Sequence, residues 1–193
     1  MPTPVEQPRI GPDEYLAWER EQLDRHECYH GEVFAMAGGS PRHNAIAANV
    51  VAALHGALRA GPCRVLTSDQ EVHVPATEHF VYADATVVCG RMQLRTGTAD
   101  VIENPALVAE VLAKSTEVYD RGLKWQSSGA IPSLCDYVLV SQQAVRVEHY
   151  ARQKDGSWRY RVHGPGERLA LAAGVELAVD AIYEQGVFDL AGD

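Results

Sequence analysis

Two acidic residues set in strongly apolar, strand-like runs constrain this chain more than any other feature. Asp84 closes Phe80-Val81-Tyr82-Ala83-Asp84 and opens the apolar run Ala85 to Cys89. Glu110 interrupts Leu107-Val108-Ala109-Glu110-Val111-Leu112, a run otherwise rich in the residues of a buried strand. A carboxylate held among apolar neighbours is costly unless it is paired or coordinates a metal. Alone, Asp84 also suits a strand-start turn and Glu110 a salt bridge. Together, on adjacent strands, they can converge at one sheet edge and share a Mg²⁺, which takes oxygen ligands and keeps several waters. Such a cation polarises a phosphate oxygen and makes a water more acidic, so the pair points to phosphodiester chemistry.

A basic group stands within reach in Asp120-Arg121-Gly122-Leu123-Lys124. Lys124 can orient an attacking water and stabilise charge developing on phosphorus. Its spacing from Asp120 equally fits a solvated ion pair on a helix. Lys114 competes for the role, because on a continuing strand it shares a face with Glu110. However, Lys114-Ser115-Thr116 reads as the strand exit and a helix cap, so Lys124 is preferred. Glu32, following Gly31, is a third candidate carboxylate and a weak one by itself. His43, beside Asn44 at a helix start, could touch phosphate but reads more simply as a structural polar residue.

The chain has 193 residues with 46% hydrophobic and 22% charged side chains, the balance of one soluble globular domain spanning 1–193. Met1 to Arg9 is proline-rich without an apolar core, so no secretory signal is expected. Ala45 to Leu58 is too short and too polar to span a bilayer. Cys28, Cys63, Cys89 and Cys135 are scattered, with no C-x-x-C pair, and read as reduced thiols of a cytoplasmic protein. A net charge of −9 argues against tight nonspecific binding to nucleic acid, so any such surface must be a local basic patch. Arg146 to Arg168 offers Arg146, Arg152, Lys154, Arg159, Arg161 and Arg168 against Glu148, Asp155 and Glu167, although an ordinary exposed hairpin explains it as well.

Patterning predicts a helix over Gly11 to Gln22 and two short strands across Cys28 to Met36, turning at Gly31. Gly38-Gly39-Ser40-Pro41 starts a helix that runs to about Ala60, with Ser40 as N-cap and Pro41 at the first position. Strands follow at Cys63–Leu66, Glu71–Pro75, Asp84–Cys89 and Leu107–Leu112, then one helix from Thr116 to Gly129. Asp136–Ser141, Ala144–Ala151 and Ser157–His163 read as a strand and hairpin turning at Lys154-Asp155-Gly156, and Val179 to Tyr183 as a terminal helix.

Several strings together resemble the Uma-type (DUF820-like) family of restriction-endonuclease-like proteins. They are Glu14-Tyr15-Leu16-Ala17-Trp18-Glu19, Arg25 to Glu32, Ala35-Met36-Ala37-Gly38-Gly39-Ser40 with His43-Asn44, and Cys63-Arg64-Val65. Further along come Tyr82-Ala83-Asp84, Asn104-Pro105, Glu110-Val111-Leu112, Ser115-Thr116, Tyr119-Asp120-Arg121-Gly122 with Lys124, and Ile131-Pro132-Ser133-Leu134. The resemblance runs in order over roughly residues 13 to 184. It implies the PD-(D/E)XK nuclease-like superfamily: an α/β, restriction-endonuclease-like core with a central mixed β-sheet flanked by helices, additional β-hairpins, and Mg²⁺-dependent DNA cleavage, with Mn²⁺ as a substitute.

By the same resemblance Asp84 takes the aspartate of the P-D motif and Glu110 the acid of (D/E)-x-K. Glu32 takes an additional acidic position, and Lys124 is the lysine moved onto the helix, Leu112 standing in its usual place. The Val111 carbonyl would complete the metal's oxygens with Asp84 and Glu110. A homodimer is expected by analogy alone. The chain departs from the family at Ala83, where a proline is usual, at Ala113-Lys114-Ser115-Thr116, and at Trp125-Gln126-Ser127-Ser128.

Two rival readings remain. His26-Glu27-Cys28-Tyr29-His30 formally matches the H-E-x-x-H zinc signature, which requires a helix presenting both imidazoles on one face. Gly31 would end such a helix at once. The other rival is a catalytically inactive nuclease fold acting as a DNA- or protein-binding module.

Overall fold

The computed structural model describes residues 3–6, 8–36 and 38–192. Met1, Pro2, Gln7, Ala37 and Asp193, which belong to the expected domain and in part to the strings above, lie outside the described residues. In chain order the strands are β1 (Thr3–Pro4), β2 (His26–Tyr29), β3 (Glu32–Ala35), β4 (Cys63–Thr67), β5 (Glu71–Val74), β6 (His79–Tyr82) and β7 (Ala85–Cys89). They continue as β8 (Leu107–Leu112), β9 (Asp136–Ser141), β10 (Val147–Arg152), β11 (Trp158–His163), β12 (Arg168–Ala170) and β13 (Glu176–Ala178). The helices are α1 (Pro12–Glu19), α2 (Pro41–Leu58), α3 (Glu117–Tyr119), α4 (Trp125–Ser128) and α5 (Val179–Ile182).

A six-stranded sheet runs β11-β10-β9-β8-β7-β4, and a five-stranded sheet runs β1-β3-β2-β6-β5. The larger sheet is mixed: β8 and β9 are parallel, while β7 meets β8 antiparallel and β10 meets β9 antiparallel. This is the mixed sheet with flanking helices and added hairpins that the sequence led one to expect. The hairpin of β12 and β13 was not foreseen; its strands are only three residues long and carry little pattern.

Alternation along β8 decides what each face of the large sheet meets. Leu107, Ala109 and Val111 turn toward one core, where α2 lays down Ile46, Val50, Leu54 and Leu58. Those four fall at helical spacing, and burying each contributes about 1.5–3 kcal/mol. Val108 and Leu112 turn to the opposite core, against Val72, Val74 and Val81 of the small sheet and Tyr137, Ile131 and Leu134. Glu110 belongs to that second row. Its carboxylate therefore enters the seam between the two sheets.

The chain crosses from the small sheet to the large one at Ala83-Asp84, between β6 and β7. β2 and β3 close through His30 and Gly31, both at positive φ (48° and 80°), as a tight two-residue hairpin requires. A side chain at Gly31 would also strike the Ile10 carbonyl at 2.7 Å.

Three expectations are corrected. His26, Glu27 and His30 lie on a strand and its turn, not on a helix, so the zinc arrangement cannot form. His26 Nδ1 instead meets Glu19 Oε2 at 3.0 Å. Among the described residues no three His, Cys, Asp or Glu side chains gather as a metal cage. The single helix expected over 116–129 is broken: a π-helical turn, Asp120–Lys124, separates α3 from α4. Finally, Cys63 and Cys89 are joined by a disulfide, because the antiparallel register of β4 and β7 sets them directly opposite. Cys28 and Cys135 are free. No helix among the described residues is long and apolar enough to cross a membrane.

The disulfide closes a loop spanning a sequence separation of 26. Its reduction should lower unfolding stability by about 3 kcal/mol, through the loop-closure freedom regained by the unfolded chain. Urea titration with and without reductant measures this. Cys63→Ser should match the reduced protein and be insensitive to reductant.

Candidate active site

A cavity of about 300 Å³ opens where the two sheets and the broken helix meet. Asp84, Glu110, Val111, Lys124, Asp120 and Glu27 all line it, with Tyr119 and His43. Asp84 arrives because Ala85 pairs with Ala109, which sets Asp84 one step further along, opposite Glu110. Its Oδ2 accepts the Val111 N–H at 2.7 Å, beyond the last β7–β8 pair. Its Oδ1 lies 3.0 Å from His43 Nε2. An ionised carboxylate only accepts, so this contact fixes the proton of His43 on Nε2.

The π turn delivers Lys124. Widening the helix by one residue re-aims side chains, and such turns are frequent at functional sites. Lys124 is buried, and its Nζ reaches Glu27 Oε1 at 2.8 Å, the Tyr82 carbonyl at 2.8 Å and Glu110 Oε1 at 3.0 Å. Three oxygens thus surround the three protons of the ammonium. The contact with Glu110 is one of charge proximity, since no directed hydrogen bond reaches that Oε1. Glu27 is fully engaged: Oε1 also accepts the Tyr82 N–H at 3.0 Å, and Oε2 accepts the Tyr119 hydroxyl at 2.6 Å. Tyr119 in turn sits 2.8 Å from His79 Nε2.

Charge is divided unequally among these groups. Burial pushes Glu110 well above the usual carboxylate range, and Lys124 only partly opposes this. Burial acts on Glu27 the same way, but Lys124 and His79 overturn it and hold that carboxyl below its ordinary value. Burial would depress Lys124 too, yet Glu110, Glu27 and Asp120 raise its ammonium above the ordinary range. The arrangement is thus a Lys124–Glu27 ion pair beside a Glu110 that burial biases toward its protonated form. Asp120 rises to about 6, through burial first, against Lys124 and a 2.7 Å hydrogen bond from Thr116 Oγ1.

Of the residues named from sequence, Asp84, Glu110, Val111 and Lys124 are brought together. Glu32 is not: it lies on β3, half-exposed, 3.6 Å from Arg9 Nη2, and does not line the cavity. The buried acid on that hairpin is Glu27, one strand earlier. Lys114 is exposed at the β8 exit and borders a separate groove with Glu117 and Arg121. The Asp120–Lys124 pair is not solvated, as both residues are buried. Sequence reasoning undervalued His43 and missed Glu27 and Tyr119. Glu27 stands directly before the strand-like run at Cys28, a setting as costly for a carboxylate as that of Glu110.

Much of the basic charge after residue 145 is spent internally. Arg121 and Arg146 both bind Glu148, Arg168 pairs with Glu176, and Arg152 bonds the Gly129 and Ile131 carbonyls. Lys154, Arg159 and Arg161 remain exposed.

Known proteins supply the family and a matching fold. The family model described as "Uma2: Putative restriction endonuclease" matches residues 12–181. The chain belongs to the Uma2 family. An uncharacterized protein of Synechocystis sp. is 36% identical over 177 residues, covering 91% of this chain and 92% of the relative. A second uncharacterized Synechocystis protein is 30% identical over 145 residues, covering 75% and 82%. The crystal structure of a "putative nuclease belonging to DUF820" from Anabaena variabilis superposes with a TM-score of 0.74, covering 90% of this chain and 97% of that one. At 15% identity it speaks for the fold alone. The matched segment of this Uma2 chain contains every cavity residue named above.

Because Asp120 binds its proton more tightly folded than unfolded, the folded state is favoured at low pH and loses that advantage as Asp120 ionises. Stability should therefore fall as pH rises from about 4 to about 6, and Glu110 adds a loss of the same sign. Asp120→Asn should flatten its part of that slope. Unfolding midpoints across the pH range check this, and an unchanged slope would refute it.

Proposed function

We propose that this Uma2 chain is a Mg²⁺-dependent endonuclease that hydrolyses DNA phosphodiester bonds, with Mn²⁺ able to replace Mg²⁺. The observation that carries the reading is Glu110: a buried carboxylate that lines the same cavity as Asp84, its Oε1 3.0 Å from Lys124 Nζ and without a directed hydrogen bond. Two carboxylates and a carbonyl are a sparse but fitting oxygen set for Mg²⁺, which keeps several waters and is held by one or two carboxylates beside phosphate. Asp84, Glu110 and the Val111 carbonyl would hold the ion. When bound, it would supply Lewis-acid polarisation of a phosphate oxygen and acidify a water.

The chain's own groups account for the remaining work. Asp84 is oriented by two donors, and each of its oxygens keeps a lone pair for the site. Burial disfavours the charged form of Glu110 that a metal ligand requires, and the neighbouring Lys124 ammonium opposes that bias. Lys124 contributes fixed positive charge where negative charge gathers on the phosphoryl oxygens, already oriented before substrate arrives. Glu27 anchors Lys124. With both oxygens occupied and its pKa held low, it is a counter-ion and not the base that accepts a proton from water. Glu32 has no part in this scheme.

Plasmid nicking in Mg²⁺ tests the reading. Asp84→Ala and Glu110→Ala should abolish cleavage, while Glu32→Ala and Lys114→Ala should leave it near native. Lys124→Met should abolish cleavage and also destabilise the fold by about 3–5 kcal/mol, because it strands Glu27 as a buried unpaired charge. Cleavage that persists in Asp84→Ala and Glu110→Ala would overturn the assignment.

A further inference from the structure

His43 belongs to a closed circuit of hydrogen bonds around the cavity mouth. Its Nε2 meets Asp84 Oδ1 at 3.0 Å, and Asp84 Oδ2 accepts from Val111 N at 2.7 Å. The next residue on β8 offers its carbonyl: Leu112 O accepts from Gln142 Nε2 at 2.9 Å. Gln142 Oε1 accepts from Ser40 Oγ at 3.1 Å, and Ser40 Oγ accepts the backbone N–H of His43 at 3.2 Å. The circuit thus returns to His43 after joining the first turn of α2, the start of β7 and the exits of β8 and β9. Its members are widely separated in sequence, and all converge on one carboxylate.

Gly39 makes room for the ring. A Cβ there would fall 2.5 Å from His43 Cδ2, 2.9 Å from His43 Cγ and 2.8 Å from Asn44 Oδ1. Any side chain at position 39 must displace the imidazole from Asp84. The neighbouring Ser40 holds the other end: it caps α2 and hands its own proton to Gln142. Glycine at 39 and serine at 40 therefore serve the placement of one ring. An α2 cap alone would need only the serine.

We propose that His43 is a positioning residue, clamped by Gly39, Ser40 and Gln142, that sets the direction in which Asp84 presents its oxygens to the divalent cation. It acts through Asp84, as partners behind a metal ligand do. The inference rests on the metal reading of the site but assigns residues that reading leaves out. Tight placement matters because a carboxylate free to rotate spends binding energy on its own ordering, and removing such a partner typically costs about 10–100-fold in metal affinity.

Calorimetric titration of the full chain with Mg²⁺ alone, repeated by Mn²⁺ electron paramagnetic resonance, tests it. His43→Ala and Gly39→Ala should each weaken binding by about 10–100-fold, and the double variant should be no weaker than His43→Ala, since both remove one contact. His43→Gln, whose amide nitrogen reaches the Nε2 position, should recover most of the affinity. In cleavage, His43→Ala should raise the Mg²⁺ concentration needed for half-maximal rate while leaving the rate at saturating Mg²⁺ close to native. Near-UV circular dichroism establishes that each variant keeps its packing. Native affinity in both His43→Ala and Gly39→Ala would overturn the proposal while leaving the metal site standing. A native protein that binds neither ion would overturn both.

Discussion

The burial of one ammonium governs the architecture around the cavity. Lys124 sits between Glu27 of the small sheet and Glu110 of the large one, with the Tyr82 carbonyl as its third acceptor. Each sheet thereby contributes an acid to a cation carried by the helix wedged between them. A buried pair of this kind adds little net stability over apolar packing, yet breaking it is costly. Its value here is one of placement: the ammonium meets oxygens of both sheets where the broken helix docks. The π turn at Asp120–Lys124 follows from the same demand. Gly122 lies within that turn and weakens the regular helix at the place where it must widen.

Strand identity was legible from composition, and the site followed only as far as strands could carry it. Leu107–Leu112 is recovered with the same bounds, and alternation along it places Glu110 in the seam. The register that sets Asp84 opposite Glu110 is one step beyond the Ala85–Ala109 pair, so two apolar runs with one acid each were enough. Helix start signals were equally readable in Ser40-Pro41, because capping is local chemistry.

What stayed hidden depended on contacts across the chain. Glu27 and Glu32 flank one hairpin, and nothing local says which is buried. The answer comes from β2 lying inside the small sheet beside β6, with β3 toward its edge. The H-E-x-x-H string drew attention to Glu27 for the wrong reason, since its chemistry presumes a helix. Cys63 and Cys89 looked independent because only the β4–β7 register brings them together. The π turn leaves no periodic trace in five residues, and the circuit through Gln142 joins residues about a hundred positions apart.

Electrostatics orders the events at such a site. The cavity walls carry Asp84, Glu27, Asp120 and Glu110 against one committed lysine, on a chain of net charge −9. A polyanion approaching these walls meets repulsion at close range, where the low dielectric strengthens it. A divalent cation would meet attraction from the same groups. On the proposed reading, then, Asp84 and Glu110 would hold the cation, whose charge would offset these walls where a phosphate is to approach. The exposed Lys154, Arg159 and Arg161 act at longer range and are screened within about 8 Å at physiological ionic strength. On the same reading they would draw a nucleic acid near, but they cannot substitute for charge inside the cavity. On the proposed reading, the acidic balance of the chain, which at first argues against a nucleic-acid substrate, would make cleavage conditional on the metal.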